Sequence, residues 1–207
     1  MNTNDDSQTS PSVRSWRFWL PLAFQTALIV AIPAQAILVH LTGKTAILQT
    51  VPVDPYDLLR GYSQTLTYDI SRSQTLEKLP GWNKLNKEKR EDLNLYVILE
   101  APPEQTFSGR PQPWKPIAVS ASPPTNLPAN QVALQGRLRY GTINYGLETY
   151  YFPENQREQL NKDISQAQTG VERSQRQPLP FVVEVKVDAQ GNSVPVSLWV
   201  RDRNYRF

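Results

Sequence analysis

Cysteine is absent from the 207-residue chain, and histidine and methionine occur once each. Without cysteine there is no disulfide, no thiolate metal site and no thiol nucleophile, though the compartment stays open. The lone histidine, His40, sits in an apolar run, so neither a His-based metal site nor Ser-His-Asp catalysis is expected. Charge is also scarce, at 20% of residues, and the net +3 is scattered. A nucleic-acid surface concentrates Lys and Arg on one stripe with aromatics between them, so no nucleic-acid partner is expected. The densest basic stretch, "KLNKEKRED", is offset by Glu88, Glu91 and Asp92 and reads as a solvated helix face. No cofactor and no metal is expected.

What the chain does have is proline, at 18 residues, together with 5 Trp and 9 Tyr. That composition suits a loop-rich β domain better than a helical bundle. It also has one long apolar run, for residues 18–43 contain no Lys, Arg, Asp or Glu. About 20 apolar residues span a bilayer as a helix. Trp16 and Trp19 stand at the start of the run as an interfacial belt would, and Arg14 and Arg17 precede it while Lys44 follows. The expected organisation is a polar, disordered tail over residues 1–15, a single transmembrane anchor over 16–43 and an extracytoplasmic β-rich domain over 44–207. The bilayer is the expected partner of the anchor, with the N-terminus cytoplasmic and the domain in a periplasm or thylakoid lumen. Two other readings stay open: a signal peptide cut after Ala36, since "PAQA" fits a small-x-small site, and a buried soluble helix. Gln25 and Gln35 either bond to a neighbouring helix or snorkel, and Pro33 is placed to kink the run.

Beyond the run, period-two patterns predict strands at 46–53, 62–70, 93–100, 114–121, 131–140, 181–188 and 194–202. Pro116 marks its strand as an edge or a bulge. "AQGNS" predicts a hairpin turn in which Gly191 and Asn192 tolerate positive φ. Helices are predicted in "PGWNKLNKEKREDL", with Trp82, Leu85 and Leu93 on a narrow face, and in "PENQREQLNKDISQAQ", with Leu160 and Ile164 four apart. The fold class is mainly β (α+β), an antiparallel-sheet domain with one or two helices behind a single N-terminal transmembrane helix.

The corner "DPYDLLRGYSQTLTY" resembles the signature of the family named for its Gly-Asp-Tyr-x-x-Leu-x-Tyr motif, which is usually preceded by Asp-Pro-Arg-Asp-Leu-Leu-Arg. Asp54, Pro55, Asp57, Leu58, Leu59, Arg60, Gly61, Leu66 and Tyr68 fall on that pattern. Downstream, "RYGTINYGLETYYFPENQREQL" is similar to the family's Tyr-Gly-x-Glu-x-Tyr-Phe-x-Pro-Glu segment, through Tyr145, Gly146, Glu148, Tyr150, Tyr151, Phe152, Pro153 and Glu154. The motif's own Asp and Tyr are Tyr62 and Ser63 here, so a role for that Asp carboxylate does not carry over. The resemblance implies a membrane-anchored bacterial chain and names no reaction. It also implies proximity to polytopic integral membrane proteins, beside which members are often encoded.

These residues support two accounts. As architecture, Asp54, Pro55 and Asp57 make a turn, Gly61 takes a backbone that a Cβ forbids, and Arg60 pairs with Asp54, Asp57 or Glu148. As a recognition edge, Arg60 meets a partner's carboxylate or a lipid phosphate. Glu154, just after Pro153, reads as a carboxylate favouring the positive end of a helix, and Glu148 beside Tyr150 and Tyr151 as cross-strand packing or a ligand groove. The expected function is an interaction or assembly module acting with an integral membrane partner. The alternatives are a membrane-anchored hydrolase using Glu148 and its tyrosines, or a lipid- or small-ligand-binding domain.

Overall fold

The computed structural model describes residues 12–51, 63–85, 92–103, 106–107, 109–151, 153–168 and 181–206. They fall into two units, Met1–Leu38 and Val39–Phe207. The first unit is helical. Helix α1 (Ser12–Thr42) contains Pro21 and Pro33. A proline removes one backbone donor and presses its ring on the preceding turn, and α1 bends by 40° between Trp16–Ala31 and Pro33–Thr42. Among the described residues no single helix is long and apolar enough to cross a membrane; the bent pair taken together has the length and composition to do so. The single span expected over 16–43 is therefore two apolar segments joined at a bend. Many of its large side chains, Trp16, Phe24 and Ile29 among them, are exposed, while Val39 is buried.

The second unit is mainly β. In chain order its elements are β1 (Lys44–Gln49), β2 (Ser63–Thr65), α2 (Ser73–Leu76), β3 (Leu93–Glu100), β4 (Thr106–Phe107) and β5 (Arg110–Pro111). Then come β6 (Lys115–Ser120), β7 (Gln131–Arg139), β8 (Thr142–Asn144), β9 (Thr149–Tyr151), α3 (Glu154–Gln168), β10 (Phe181–Val187), β11 (Ser193–Val200) and β12 (Arg203–Arg206). There are two four-stranded sheets, ordered β1-β10-β11-β12 and β6-β3-β7-β8, and two two-stranded ribbons, β2-β9 and β4-β5. Every pairing is antiparallel.

Alternation sets the faces, because successive side chains of a strand point to opposite sides. In β3, Leu95, Val97 and Leu99 are buried; in β7, Val132, Leu134 and Leu138; in β10, Val183, Val185 and Val187. These residues share one core cluster with Leu48, Leu198 and Val200, so the inner faces of the two sheets meet in a single apolar layer. Each such side chain taken from water favours the fold by about 1.5–3 kcal/mol before entropy is counted. Leu160 and Ile164 of α3 add to the same core. Pro116 sits on the edge strand β6, opposite a register shift at Ile98/Leu99, so it needs no ladder donor.

The structure corrects three details. The strand expected over 62–70 is described only at Ser63–Thr65 and gives way to a 3₁₀ turn at Asp69–Ser71. In the helix expected from residue 80 the described portion is a 3₁₀ turn, Trp82–Lys84, entered through Gly81 in the left-handed region at φ 93° and ended by Leu85 in an extended conformation. In the β10–β11 turn Gly191 takes positive φ, but Asn192 does not. Asn192 serves instead through its side chain, which donates to Asp188 Oδ2 at 2.9 Å.

Candidate functional site

The two signature segments are each other's partners. Strand β2 pairs with β9, setting Gln64 opposite Tyr150 and Thr65 opposite Thr149. One step further the Leu66 amide donates to the Glu148 carbonyl at 2.8 Å, and Leu66 itself is buried. The chain then bridges to the end of β1, with Tyr68 opposite Thr50 and the Val51 amide donating to the Thr67 carbonyl at 2.8 Å. This clasp thus lies about 20 Å along β1 from the point where the chain enters the domain at Lys44.

Three buried tyrosines fill the clasp. Tyr68, with no exposed surface, donates its hydroxyl to the Leu147 carbonyl at 2.6 Å. Having spent its proton there, it accepts from the Tyr150 hydroxyl. Tyr145 donates to the Ile70 carbonyl at 2.7 Å, tying the 3₁₀ turn to the loop before β9. Burial raises all three hydroxyls above their ordinary pKa of 10, most strongly for Tyr68 and Tyr145. The Tyr150 hydroxyl next to Tyr68, and Asp69 and Glu148 near Tyr145, push the same way. They remain neutral donors, Tyr68 and Tyr145 on main-chain carbonyls and Tyr150 on the Tyr68 hydroxyl.

Glu148 belongs to the same construction. Its Oε1 accepts the Tyr145 amide at 2.6 Å, and Asn144 Oδ1 accepts the Gly146 amide at 2.8 Å. The carboxylate closes its own turn, and among the described residues no arginine pairs with it. Tyr151, on the other face of β9, is exposed. Glu154 is the first residue of α3 and is exposed, where a carboxylate meets the positive end of the helix. Asp54, Pro55, Asp57, Arg60 and Gly61 lie outside the described residues. Of the sequence-derived candidates the fold therefore brings together Leu66, Tyr68, Glu148 and Tyr150, and leaves Glu154 apart. Among the described residues no group of three or more His, Cys, Asp or Glu is arranged to hold a metal ion.

Sequence reasoning missed Asp69. It follows Tyr68 in a period-two pattern and so reads as outward-facing, but the 3₁₀ turn swings it inward, where Oδ1 accepts the Ile70 amide at 2.7 Å. Burial pushes its carboxyl from 3.8 up to about 6, against the lowering effect of backbone hydrogen bonds. The folded domain thus keeps this proton to a higher pH than the unfolded chain does. Its contribution to stability is full below about pH 4 and is lost as pH rises through 6, a fall of about 3 kcal/mol at 1.36 kcal/mol per pKa unit. Asp69→Asn is expected to remove that slope and to stabilise the chain at pH 7 to 8. Denaturant midpoints of both chains between pH 4 and 8 measure it; parallel curves would show that Asp69 ionises freely.

These features define a class: an antiparallel β domain behind an apolar N-terminal helix, closed at one end by a tyrosine clasp. The chain belongs to the GDYXXLXY family, whose model matches residues 25–198. No curated protein and no solved structure matches it significantly.

Proposed function

We propose that the chain is a membrane-anchored interaction module: α1 crosses the bilayer from a cytoplasmic N-terminus, and the β domain acts outside the cytoplasm by binding, in company with an integral membrane protein. The membrane reading is supported by an apolar helix exposed on many sides. Such a surface is stable only under lipid or protein cover. The observation that favours binding over catalysis is the state of the signature itself. The Tyr68 and Tyr145 hydroxyls are bound to main-chain carbonyls, the Tyr150 hydroxyl to Tyr68, and the Glu148 carboxylate to a main-chain amide. A general acid or base needs a carboxyl within reach of substrate, and these groups are occupied in holding the fold.

Two measurements on cells making the full-length chain test this. The chain is expected in the carbonate-resistant membrane fraction, with its domain digested by protease added outside spheroplasts; recovery as a soluble full-length protein overturns the anchor. Glu148→Gln, whose amide oxygen can still accept the Tyr145 amide, is expected to complement a deletion as well as the native chain does. A variant that folds and yet matches the deletion phenotype overturns the binding reading in favour of the hydrolase.

A further inference from the structure

The outer face of the β1-β10-β11-β12 sheet carries a second site, unrelated to the clasp. Alternation turns Ile47, Glu184 and Trp199 away from the core face that holds Leu48, Val183 and Leu198. Pro102, Pro111 and Trp114, from between β3 and β6, line with Ile47, Glu184 and Trp199 an open cleft of about 340 Å³. Pockets of this size take small ligands or single side chains of a partner.

Three features of the lining specify the ligand. Glu184 is the one charged residue among those lining the cleft, and no ion pair to it is found among the described residues. Its Oε2 is oriented by Ser197, which donates at 3.0 Å and in turn accepts from Asn204 Nδ2 at 3.0 Å. Ser197 is buried, so the carboxylate is held by a relay rather than left to swing. Finally, the Trp199 indole N–H is buried and has no acceptor among the described residues. A buried tryptophan normally finds a partner for that donor. That donor is left for an acceptor on whatever fills the cleft, such as the amide carbonyl that accompanies a lysine or arginine side chain. A fixed carboxylate beside two indole rings is the chemistry that attracts a cation with an apolar stem.

We propose that this cleft binds an organic cation, an alkylammonium or guanidinium group of the kind a lysine or arginine side chain presents. The carboxylate of Glu184 neutralises the charge while Trp114 and Trp199 cover the stem. Lys186, two residues along β10 on the same face, and Arg206, opposite Ser197 across the β11–β12 pair, are the nearest competing cations by register. The site does not depend on the anchor or on the clasp.

The test titrates the full-length chain in detergent with N-acetyl-lysine amide, its neutral norleucine counterpart and n-butylammonium, by calorimetry and at the Trp199 indole resonance. The lysine compound is expected to bind about tenfold or more tightly than the norleucine one, and to move the Trp199 signal. Glu184→Gln is expected to abolish that preference with the melting temperature unchanged, whereas Lys186→Gln strengthens binding by removing a competitor. Should Glu184→Gln fail to fold, added salt in the native chain is expected to weaken the two cations and spare the norleucine compound. Equal binding of butylammonium and the lysine compound supports the site with a free amine as ligand, and preference for the lysine compound supports a partner's side chain. Equal binding of norleucine and lysine compounds, no binding of either cation, or a preference that survives Glu184→Gln overturns the proposal.

Discussion

Tyr68→Ala is expected to lower the stability of the chain by about 3–5 kcal/mol, as truncation of a fully buried aromatic does. Tyr68→Phe is expected to cost less, about 1–3 kcal/mol, and its loss has a different origin. The ring stays in place, but the Leu147 carbonyl loses its donor and the Tyr150 hydroxyl loses its acceptor. Both groups lie in the core, where an unmade hydrogen bond is not replaced by water. Tyr150→Phe is expected to be milder, because the Tyr68–Leu147 bond survives it. The double variant Tyr68→Phe/Tyr150→Phe should cost less than the two single losses added, since the shared bond can be lost only once. Urea denaturation of the four chains measures these quantities. An unchanged midpoint for Tyr68→Phe would mean that the hydroxyl does not hold the two signature segments together.

The strands were legible wherever a residue's environment was decided by its own neighbours in sequence. The alternation in "LNLYVILE" marks β3 at its observed bounds, and Leu160 and Ile164 mark the buried face of α3. The β10–β11 hairpin was legible because Gly191 and the Asp188 side chain fix its turn locally. The clasp was not. Leu66, Tyr68, Glu148 and Tyr150 were all singled out, yet their meeting joins residues 79 to 82 positions apart. No local pattern encodes a partner at that distance. Ile70 illustrates the other failure. Period two places it on a strand face, and it is indeed buried, but on a 3₁₀ turn whose Ile70 carbonyl is held by the Tyr145 hydroxyl. Tertiary bonding overrode the local preference there, and Asp69 was carried inward with it. The outer cleft was missed for a related reason. Trp114 precedes β6, Glu184 lies on β10 and Trp199 on β11, and they converge only once the sheet has formed.

Over residues 80–85 a turn stands in place of the expected helix, and its signal is present in the sequence. "PGW" is a Pro-Gly turn, whereas the charged run after it has the composition of a solvated helix. What the turn does is bring backbone against backbone, and a methyl group there has nowhere to go. The Val119 amide donates to the Pro80 carbonyl at 2.9 Å, and a Cβ on Gly81 would stand 1.8 Å from the Val119 carbonyl oxygen. That atom belongs to the edge strand β6, not to a mobile side chain, so either the strand or the turn must shift. Gly81 also has φ 93°, which adds about 1 kcal/mol for any residue with a Cβ. Relief of the clash adds about 1–3 kcal/mol, and it displaces Trp82, the buried residue that follows. Gly81→Ala is therefore expected to destabilise the chain by about 2–4 kcal/mol. Gly146 supplies the control, for it has φ 74° but no heavy atom within 4 Å of its would-be Cβ. Gly146→Ala is expected to cost about 1 kcal/mol, the backbone contribution alone. Equal losses in the two variants would assign the whole effect to φ and leave the contact between the turn and β6 without energetic weight; a larger loss at Gly81 measures that contact directly.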